Sequence, residues 1–374
     1  MNSFSSDLEW QQLLSWLPSS LDLDASAEEF GALRRRRQIK SGGDLLRLAL
    51  GYGPCGLSLR GAAAWAGLNG VGSLSDVAVL KRLRGAGDWL EHIVGVLLSD
   101  IQLPRFPSGR RLKLIDGTCV CKPGSKGTDW RVHASYDPVA GRFCYLEITD
   151  GHGAESLMRG PVETGDIYIA DRGYAQAKGL SRIKAEGGDF LVRTGWSKLK
   201  IYQPNGSAFD LFSVLPEAVY GKPLDREVLI QDGTGTCNVP ARLIVVRKPE
   251  NAAEQEKRRL RRTASKKGRK LHQSSLEAAG YVLLVTSLSR EDFDIDTITE
   301  LYRLRWQIEM AFKRLKSIVR MNRLPAKDPG LTRTWLSTHL IAALLIERMN
   351  QEFLESSPSG TENPSAGTFT MAHP

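Results

Sequence analysis

Two short apolar runs, each ending in an aspartate, constrain the fold of this chain more than any other feature. Residues 112–115 lead into Asp116, and residues 167–170 lead into Asp171. Apolar runs of this length, followed by glycine-containing turns, are typical of buried strands. We therefore predict that both carboxylates lie where their strands end, at one edge of a sheet. For each aspartate taken alone, the alternative is an ordinary helix cap or turn residue.

The region between residues 110 and 193 has the pattern of an α/β sheet. Five strand-like segments follow one another, and helical pieces separate the later ones. This order predicts a mixed sheet with Asp116 on its first strand and Asp171 after its fourth.

The segment from residue 302 to residue 316 reads as one amphipathic helix with a polar stripe. At 3.6 residues per turn, Tyr302, Arg305 and Lys316 all lie within about 40° of Glu309 around the helix axis. Apolar residues occupy the neighbouring face, so the helix can pack on a core and present one acid beside two cations and a phenol. The alternative is a solvated face on which Arg305 and Glu309 form an ordinary i,i+4 ion pair.

Two strand-end carboxylates and one helix carboxylate together suggest a metal site. Hard cations such as Mg²⁺ prefer oxygen ligands and keep positions open for water and phosphate. Two such ions about 4 Å apart hold both the attacking and the leaving oxygen of a phosphodiester. We therefore predict that Asp116, Asp171 and Glu309 are the catalytic and metal-binding residues.

Three features together resemble the DDE transposases of bacterial insertion sequences, in the group called insertion sequence family four. They are Asp116, the ADRGY sequence around Asp171, and the Y-x₂-R-x₃-E-x₆-K spacing that begins at Tyr302. The resemblance implies an α/β fold with an RNase H-like catalytic core and a mixed sheet, interrupted by a β-rich insertion and preceded by an α-helical N-terminal domain. It also implies cleavage at the ends of the element and strand transfer into target DNA, with two Mg²⁺ ions that Mn²⁺ can replace.

The same resemblance assigns DNA contacts to residues around the predicted centre. Arg305 and Lys316 would hold phosphates, and Tyr302 would bind a phosphate or orient the end nucleotide. Tyr281 occupies the place where the family has an aromatic residue that can stack on a flipped base. Two further cations, Lys313 and Arg314, would extend the positive surface.

Charge and composition agree with a DNA-binding protein without requiring one. The formal net charge is +9 and the pI about 9.3, which favours a polyanionic partner, although many proteins with this balance bind none. Five cysteines without a C-x-x-C pair argue against a disulfide framework or a structural zinc site. With no signal-peptide pattern and no unbroken apolar span, we expect a cytoplasmic protein without a membrane, nucleoid-associated when bound to DNA.

The implied partners are double-stranded DNA, both transposon ends and target, and a second copy of the chain. Cutting and joining two ends requires two active sites held together, which predicts a homodimer assembled on DNA. Changes of sequence pattern set the expected boundaries. They are an α-helical, DNA-binding domain over 1–105, the first part of the catalytic core over 106–195, a β-rich insertion with a basic segment over 196–294, the Glu309 helix and C-terminal helices over 295–354, and a disordered tail over 355–374.

Two details of these domains stay open at this point. Helices around the glycine-rich turn at residues 70–72 are compatible with a helix-turn-helix, and equally with a plain helical hairpin. The basic segment at residues 257–272 carries nine Lys or Arg and no acid, which suits a clamp on the DNA backbone or a solvated helix.

Two other functions remain open from the sequence. One is a catalytically silent, transposase-derived DNA-binding protein. The other is a metal-dependent RNase H-like nuclease without strand transfer. Assays for cleavage and for joined products separate the three functions.

Overall fold

A computed structural model describes residues 3–100, 109–125, 127–231, 238–321 and 324–356. Its helices are α1 (Ser3–Ser15), α2 (Leu23–Glu29), α3 (Gly42–Tyr52), α4 (Leu59–Leu68), α5 (Asp76–Arg84), α6 (Gly87–Ser99), α7 (Ala177–Ala185), α8 (Leu211–Val214), α9 (Glu250–Lys266), α10 (Gln273–Ala278), α11 (Ile295–Leu304), α12 (Trp306–Ile318) and α13 (Pro329–Ser356). Its strands are β1 (Arg111–Val120), β2 (Trp130–Asp137), β3 (Arg142–Asp150), β4 (Asp166–Ala170), β5 (Asp189–Thr194), β6 (Ile201–Tyr202), β7 (Leu224–Gln231), β8 (Asn238–Arg247) and β9 (Tyr281–Thr286).

The described residues form two compact units. A helical unit takes its residues from 1–101, 122–124 and 315–374, and a sheet unit takes its residues from 102–121 and 125–314. No helix among the described residues is long and apolar enough to span a membrane. The tail predicted to be disordered, 355–374, lies outside the described residues from residue 357 onward.

Side-chain caps begin several helices of the helical unit. Ser58 and Ser75 each accept a backbone N–H at the start of α4 and α5, and Ser41 forms a reciprocal capping box with Asp44 on α3. Such caps satisfy backbone donors that have no partner within the helix. Residues 69–75 connect α4 to α5, the pair for which a helix-turn-helix was considered.

The C-terminal helix α13 belongs to the helical unit. It packs against α3, α5 and α6, and it buries Trp335, Leu336 and Leu340. The segment predicted as 295–354, with the Glu309 helix and the C-terminal helices, contributes residues to both units, and that domain boundary remains a prediction. Complementary apolar faces decide which helices pack together, and these partners are more than two hundred residues apart in the chain.

Within the described residues of the sheet unit, nine strands form one sheet. The order is β3-β2-β1-β4-β5-β9-β8-β7-β6. β4 runs parallel to β1 and to β5, and the other neighbouring pairs are antiparallel. The predicted mixed sheet is therefore present. The segment 196–294, expected as a β-rich insertion, adds four strands to this same sheet through the pairing of β9 with β5.

The register between β1 and β4 fixes where the predicted aspartates lie. The paired residues run from Arg111 with Asp166 to Ile115 with Ala170. Asp116 and Asp171 are the next residue on each chain, so they follow the last paired position on neighbouring strands. Neighbouring strands lie about 4.8 Å apart, so both aspartates lie close together at the same end of the β1–β4 pair.

Asp116 does not end its strand, contrary to the sequence prediction. β1 continues to Val120 because its other edge stays paired with β2 as far as Trp130. From Asp116 onward, β1 is therefore paired with β2 and no longer with β4. Asp171 directly follows β4, as expected.

A buried ionic cluster holds the opposite end of the β1–β4 pair. The Asp166 carboxylate is fully buried, and it lies 2.7 Å from a guanidinium nitrogen of Arg111 and 2.6 Å from Nζ of Lys113. Both cations are themselves more than nine-tenths buried. Because a pairing slip of one residue would separate these charges, the cluster favours the observed register.

We predict that Asp166→Asn lowers the free energy of unfolding by about 3–5 kcal/mol, because it removes the buried anion that Lys113 and Arg111 share. Glu163→Gln is the matched control. Glu163 also pairs with Arg111 but is half exposed, so its loss costs at most about 1 kcal/mol. Denaturant unfolding of both variants measures the difference, and equal midpoints would contradict this role for Asp166.

Candidate active site

The polar stripe lies on two helices rather than one. α11 ends at Leu304 and α12 begins at Trp306, and Arg305 stands between them. The backbone N–H of Arg305 bonds to the carbonyl of Tyr302, three residues back, which is the tighter 3₁₀ pattern. A single stripe from Tyr302 to Lys316 would require one uninterrupted α-helix. Tyr302 therefore lies on α11, whereas Glu309 and Lys316 lie on α12.

A hydrogen bond joins α11 to the end of β4. The Tyr302 hydroxyl donates to Oδ1 of Asp171 at 3.2 Å. Burial raises the pKa of Tyr302, and the charge of Asp171 raises it further, so the phenol stays protonated as a donor. A nitrogen of Arg193, on β5, lies 3.7 Å from the same Asp171 oxygen.

Glu309 is engaged by a neighbouring cation. Nη2 of Arg305 donates to Oε1 of Glu309 at 2.6 Å, and the Arg305 guanidinium lies 5.9 Å from the centroid of the Tyr302 ring. The ion pair that the alternative interpretation expected is thus present. The Glu309 side chain is 44% exposed, whereas that of Arg305 is 18% exposed, so the cation is the more fixed partner.

Asp116 lies in a more buried setting. Its Oδ1 accepts the backbone N–H of Gly117 at 2.8 Å. Burial raises the pKa of Asp116 to about 6; the Gly117 N–H and Arg305 oppose this rise, and the charges of Glu155 and Glu309 add to it. Asp116 is therefore within electrostatic reach of both the Arg305–Glu309 pair and Glu155.

The predicted cage of three carboxylates is not assembled in this arrangement. Among residues 3–100, 109–125, 127–231, 238–321 and 324–356, no three carboxylate, imidazole or thiol groups lie close enough to hold one ion. Glu309 is turned to Arg305, and Asp171 is held by Tyr302 and Arg193. Mg²⁺ in proteins is commonly bound by one or two carboxylates, with water and substrate phosphate as further ligands. Asp116 and Asp171, on neighbouring strands, fit that donor set.

The remaining predicted DNA-binding residues lie on α12 and β9. Lys313 and Arg314 are exposed on α12, and Lys316 follows in the part of α12 that groups with the helical unit. Tyr281 is the first residue of β9, and its half-buried ring packs against the core of the sheet unit. The roles of these four residues remain predictions.

The cation beside Asp171 has no signal in the sequence. Arg193 is the penultimate residue of β5, which runs parallel to β4. Lys248 follows β8, and its pKa is lowered by burial and then by the nearby charge of Arg193. The position of Arg193 beside Asp171 follows from the strand order, which no local pattern encodes.

The basic helix α9 presents both paired and unpaired cations. Lys257 bonds to Glu254 and Arg259 to Glu256, each within one turn. Three further arginines are exposed and form no ion pair among the described residues: Arg258, Arg261 and Arg262. The pKa of Glu256 is lowered by Arg259 and, more weakly, by Lys248 and Arg193, so this helix is within electrostatic reach of Arg193, the cation beside Asp171.

Residues 107–345 match the family model described as Transposase DDE domain. The chain is 41% identical over 354 residues to a putative transposase InsL for insertion sequence element IS186A of Escherichia coli (strain K12), covering 93% of this chain and 96% of that protein. It is 41% identical over 355 residues to the transposase for insertion sequence element IS421 of Escherichia coli, with the same coverage.

A more distant relative is the transposase for insertion sequence element IS231D of Bacillus thuringiensis subsp. finitimus. It is 25% identical over 356 residues, which cover 83% of this chain and 73% of that protein. Among solved structures, a cryo-EM structure of the piggyBac transposase synaptic complex with hairpin DNA aligns with a TM-score of 0.49 and 8% identity, over 88% of this chain and 71% of that one.

The raised pKa of Asp116 predicts a stability cost at neutral pH. The folded state binds this proton more tightly than the unfolded state, so the free energy of unfolding falls as pH rises from about 4 to about 6. A rise from 3.8 to about 6 corresponds to about 3 kcal/mol. We expect Asp116→Asn, with a chelator present, to be more stable than the parent by up to this amount above pH 6.

Denaturant unfolding at several pH values checks this expectation. The difference between Asp116→Asn and the parent should vanish below about pH 4, where Asp116 is protonated in both states. A variant that is less stable than the parent at neutral pH, or a difference that does not change with pH, would show that burial of this charge is not what limits stability.

Proposed function

Because this chain belongs to the DDE transposases of insertion sequences, enzymes that cleave DNA and transfer strands, we propose that Asp116, Asp171 and Glu309 form its catalytic centre. The family match and the relatives confirm the transposase predicted from the sequence. The observation that carries the assignment of residues is the Tyr302–Asp171 hydrogen bond. It ties the Y-x₂-R-x₃-E-x₆-K segment to the strand end beside Asp116.

We assign the sheet to the RNase H-like class. Support comes from the strand order β3-β2-β1-β4-β5 with β4 parallel to both neighbours, and from carboxylates that follow the last paired position of β1 and β4. The strands from 196–294 would then be an elaboration of that core sheet.

Asp116 and Asp171 would hold a divalent ion, and Mg²⁺ suits their oxygen ligands, with Mn²⁺ as a substitute. Such an ion lowers the pKa of a water or 3′-hydroxyl and neutralises charge on the scissile phosphate. Two ions complete the centre in our proposal, and Glu309 serves the second. In cleavage, water bonds to phosphorus and the 3′-oxygen leaves with a proton; in joining, that 3′-hydroxyl bonds to a target phosphate as another P–O bond breaks.

Arg305 would link DNA binding to assembly of the centre. Its guanidinium holds Glu309 at 2.6 Å, and a DNA phosphate is the same kind of oxygen partner. A phosphate at Arg305 would release Glu309 toward the two aspartates. Tyr302 would keep α11 on Asp171 throughout, and Lys316 would hold a further phosphate.

The partners in this proposal are the element's terminal inverted repeats and the target DNA. Two ends must be cut and joined together, so two copies of the chain would assemble on DNA. Such a complex would be nucleoid-associated. Exposed arginines of α9, Lys248 beside that helix and Arg193 near Asp171 would supply positive charge along one path to the centre.

We predict that Glu309→Gln loses Mg²⁺-dependent nicking and joining by at least about a hundredfold on labelled DNA that carries the inverted repeats. Glu300→Gln, an exposed residue on α11, is the matched control and should retain both activities. The substitution also removes the ion pair between Glu309 and Arg305. The DNA affinity of the variant is therefore measured as well, to separate an effect on binding from an effect on cleavage. Binding without cleavage by the parent would favour a silent DNA-binding protein, and cleavage without joining a simple nuclease.

We predict that replacing Arg258, Arg261 and Arg262 together with Gln weakens DNA binding and flattens its salt dependence. Each phosphate contact contributes about 0.9 to the slope of log affinity against log salt, so the slope should fall by up to about 3. Arg259→Gln is the control, because Glu256 already neutralises that cation. An unchanged slope in the triple variant would mean that α9 does not touch the DNA backbone.

A further inference from the structure

The segment between β3 and β4 carries an acid close to Asp116 that no motif singles out. We propose that Glu155, together with Asp116, binds a divalent cation in the DNA-free protein, as a fourth carboxylate of the catalytic centre. This inference rests on the proposed function, and it gives Asp116 a partner that is in place before Glu309 is released from Arg305.

Hydrogen bonds fix the segment around Glu155 to the sheet unit. Nη1 of Arg131, on β2, donates to the carbonyl of Gly153 at 2.8 Å, and Nε2 of Gln176 donates to the carbonyl of Glu155 itself at 2.8 Å. Arg182, on α7, donates to the carbonyls of Leu157 and Gly160. The backbone on both sides of Glu155 is therefore held by these hydrogen bonds.

The Glu155 carboxylate lies against the turn that follows Asp171. A Cβ atom at Gly173 would overlap with Oε2 of Glu155, so the absence of a side chain at Gly173 makes room for this carboxylate. Gly173 belongs to the ADRGY sequence. Glycine at position 173 therefore allows the Glu155 carboxylate to occupy this place, and any larger residue would displace that carboxylate.

A buried hydroxyl beside the two acids has no protein partner. Tyr174 is 1% exposed, and its hydroxyl forms no hydrogen bond within the described part of the chain. This oxygen would lie 3.3 Å from a Cβ atom on Gly117, the residue after Asp116. Burial raises the pKa of Tyr174, the charges of Asp116 and Glu155 raise it further, and those of Arg131 and Arg159 lower it, so the phenol is within electrostatic reach of both acids. A water bound to a cation between them would satisfy this donor.

The two acids also lack a counter-charge of their own. Among the described residues, no lysine, arginine or histidine lies within ion-pair distance of Asp116 or Glu155. Like charges that face each other in a half-buried site disfavour ionisation unless a cation is shared. Two carboxylates with water in the remaining positions are an ordinary set for Mg²⁺.

Mn²⁺ titration of the DNA-free protein, followed by electron paramagnetic resonance, tests the proposal. We expect Glu155→Gln and Asp116→Asn each to weaken Mn²⁺ binding about 10- to 100-fold. Gly173→Ala should do the same, because its methyl group displaces the Glu155 carboxylate. Glu163→Gln, in the same segment but paired with Arg111, should bind Mn²⁺ like the parent.

The outcomes separate this inference from the proposed function. Normal Mn²⁺ binding by Glu155→Gln together with loss in Asp116→Asn would overturn the role of Glu155 and leave the proposed centre intact. Normal binding by both variants would overturn the metal centre itself. A second measurement needs no variant: Fe²⁺ with ascorbate should cleave the parent backbone near residues 116 and 155. Cleavage at 116 without cleavage at 155 would also refute the proposal.

Discussion

The parallel pairing of β1 with β4 is the constraint on which the rest of the candidate site depends. The pairing is fixed at its start by a fully buried Asp166 held between Arg111 and Lys113, and it ends one residue before Asp116 and Asp171. Because side chains alternate along a strand, a slip of one residue would move one aspartate to the opposite face. The Asp166 charge cluster, at the other end of the strand pair, therefore favours the register that places both carboxylates on the same face.

The candidate site also requires a contact between that strand pair and α11, the helix that precedes the Glu309 helix α12. Tyr302 provides it across 131 residues of chain, by donating to Asp171. The break at Arg305 separates α11, whose Tyr302 contacts Asp171, from α12, which carries Glu309. Phe312 of α12 packs on Phe143 of β3 with ring centroids 5.9 Å apart, and the charge of Glu309 acts on Asp116.

The three acids of the proposed centre differ in the cations that lie beside them. Asp171 and Glu309 each have a cation beside them, Arg193 and Arg305, while Asp116 has none within ion-pair distance in the described chain. In the proposed function, a DNA phosphate would compete for the same arginines. DNA binding would then release these acids, because the groups that restrain them are of the kind that phosphates bind.

Local sequence determined the parts of this protein that depend on near neighbours. The short apolar runs before Asp116 and Asp171 predict buried strands, and the spacing from Tyr302 to Lys316 resembles a family signature, because both patterns involve residues close together in the chain. Helix caps such as Ser41 are likewise read within four residues. For these features the chain carries its own signal.

Tertiary structure decided everything that depends on which distant segments pair. The sequence did not show that β9 joins β5, that α13 packs with the N-terminal helices, or that Arg193 reaches Asp171. It also gave no sign that Glu155 lies over Gly173 beside Asp116. The reason is physical: strand partners and packing faces are chosen by the total burial and hydrogen bonding of the folded chain, and no local pattern encodes that choice.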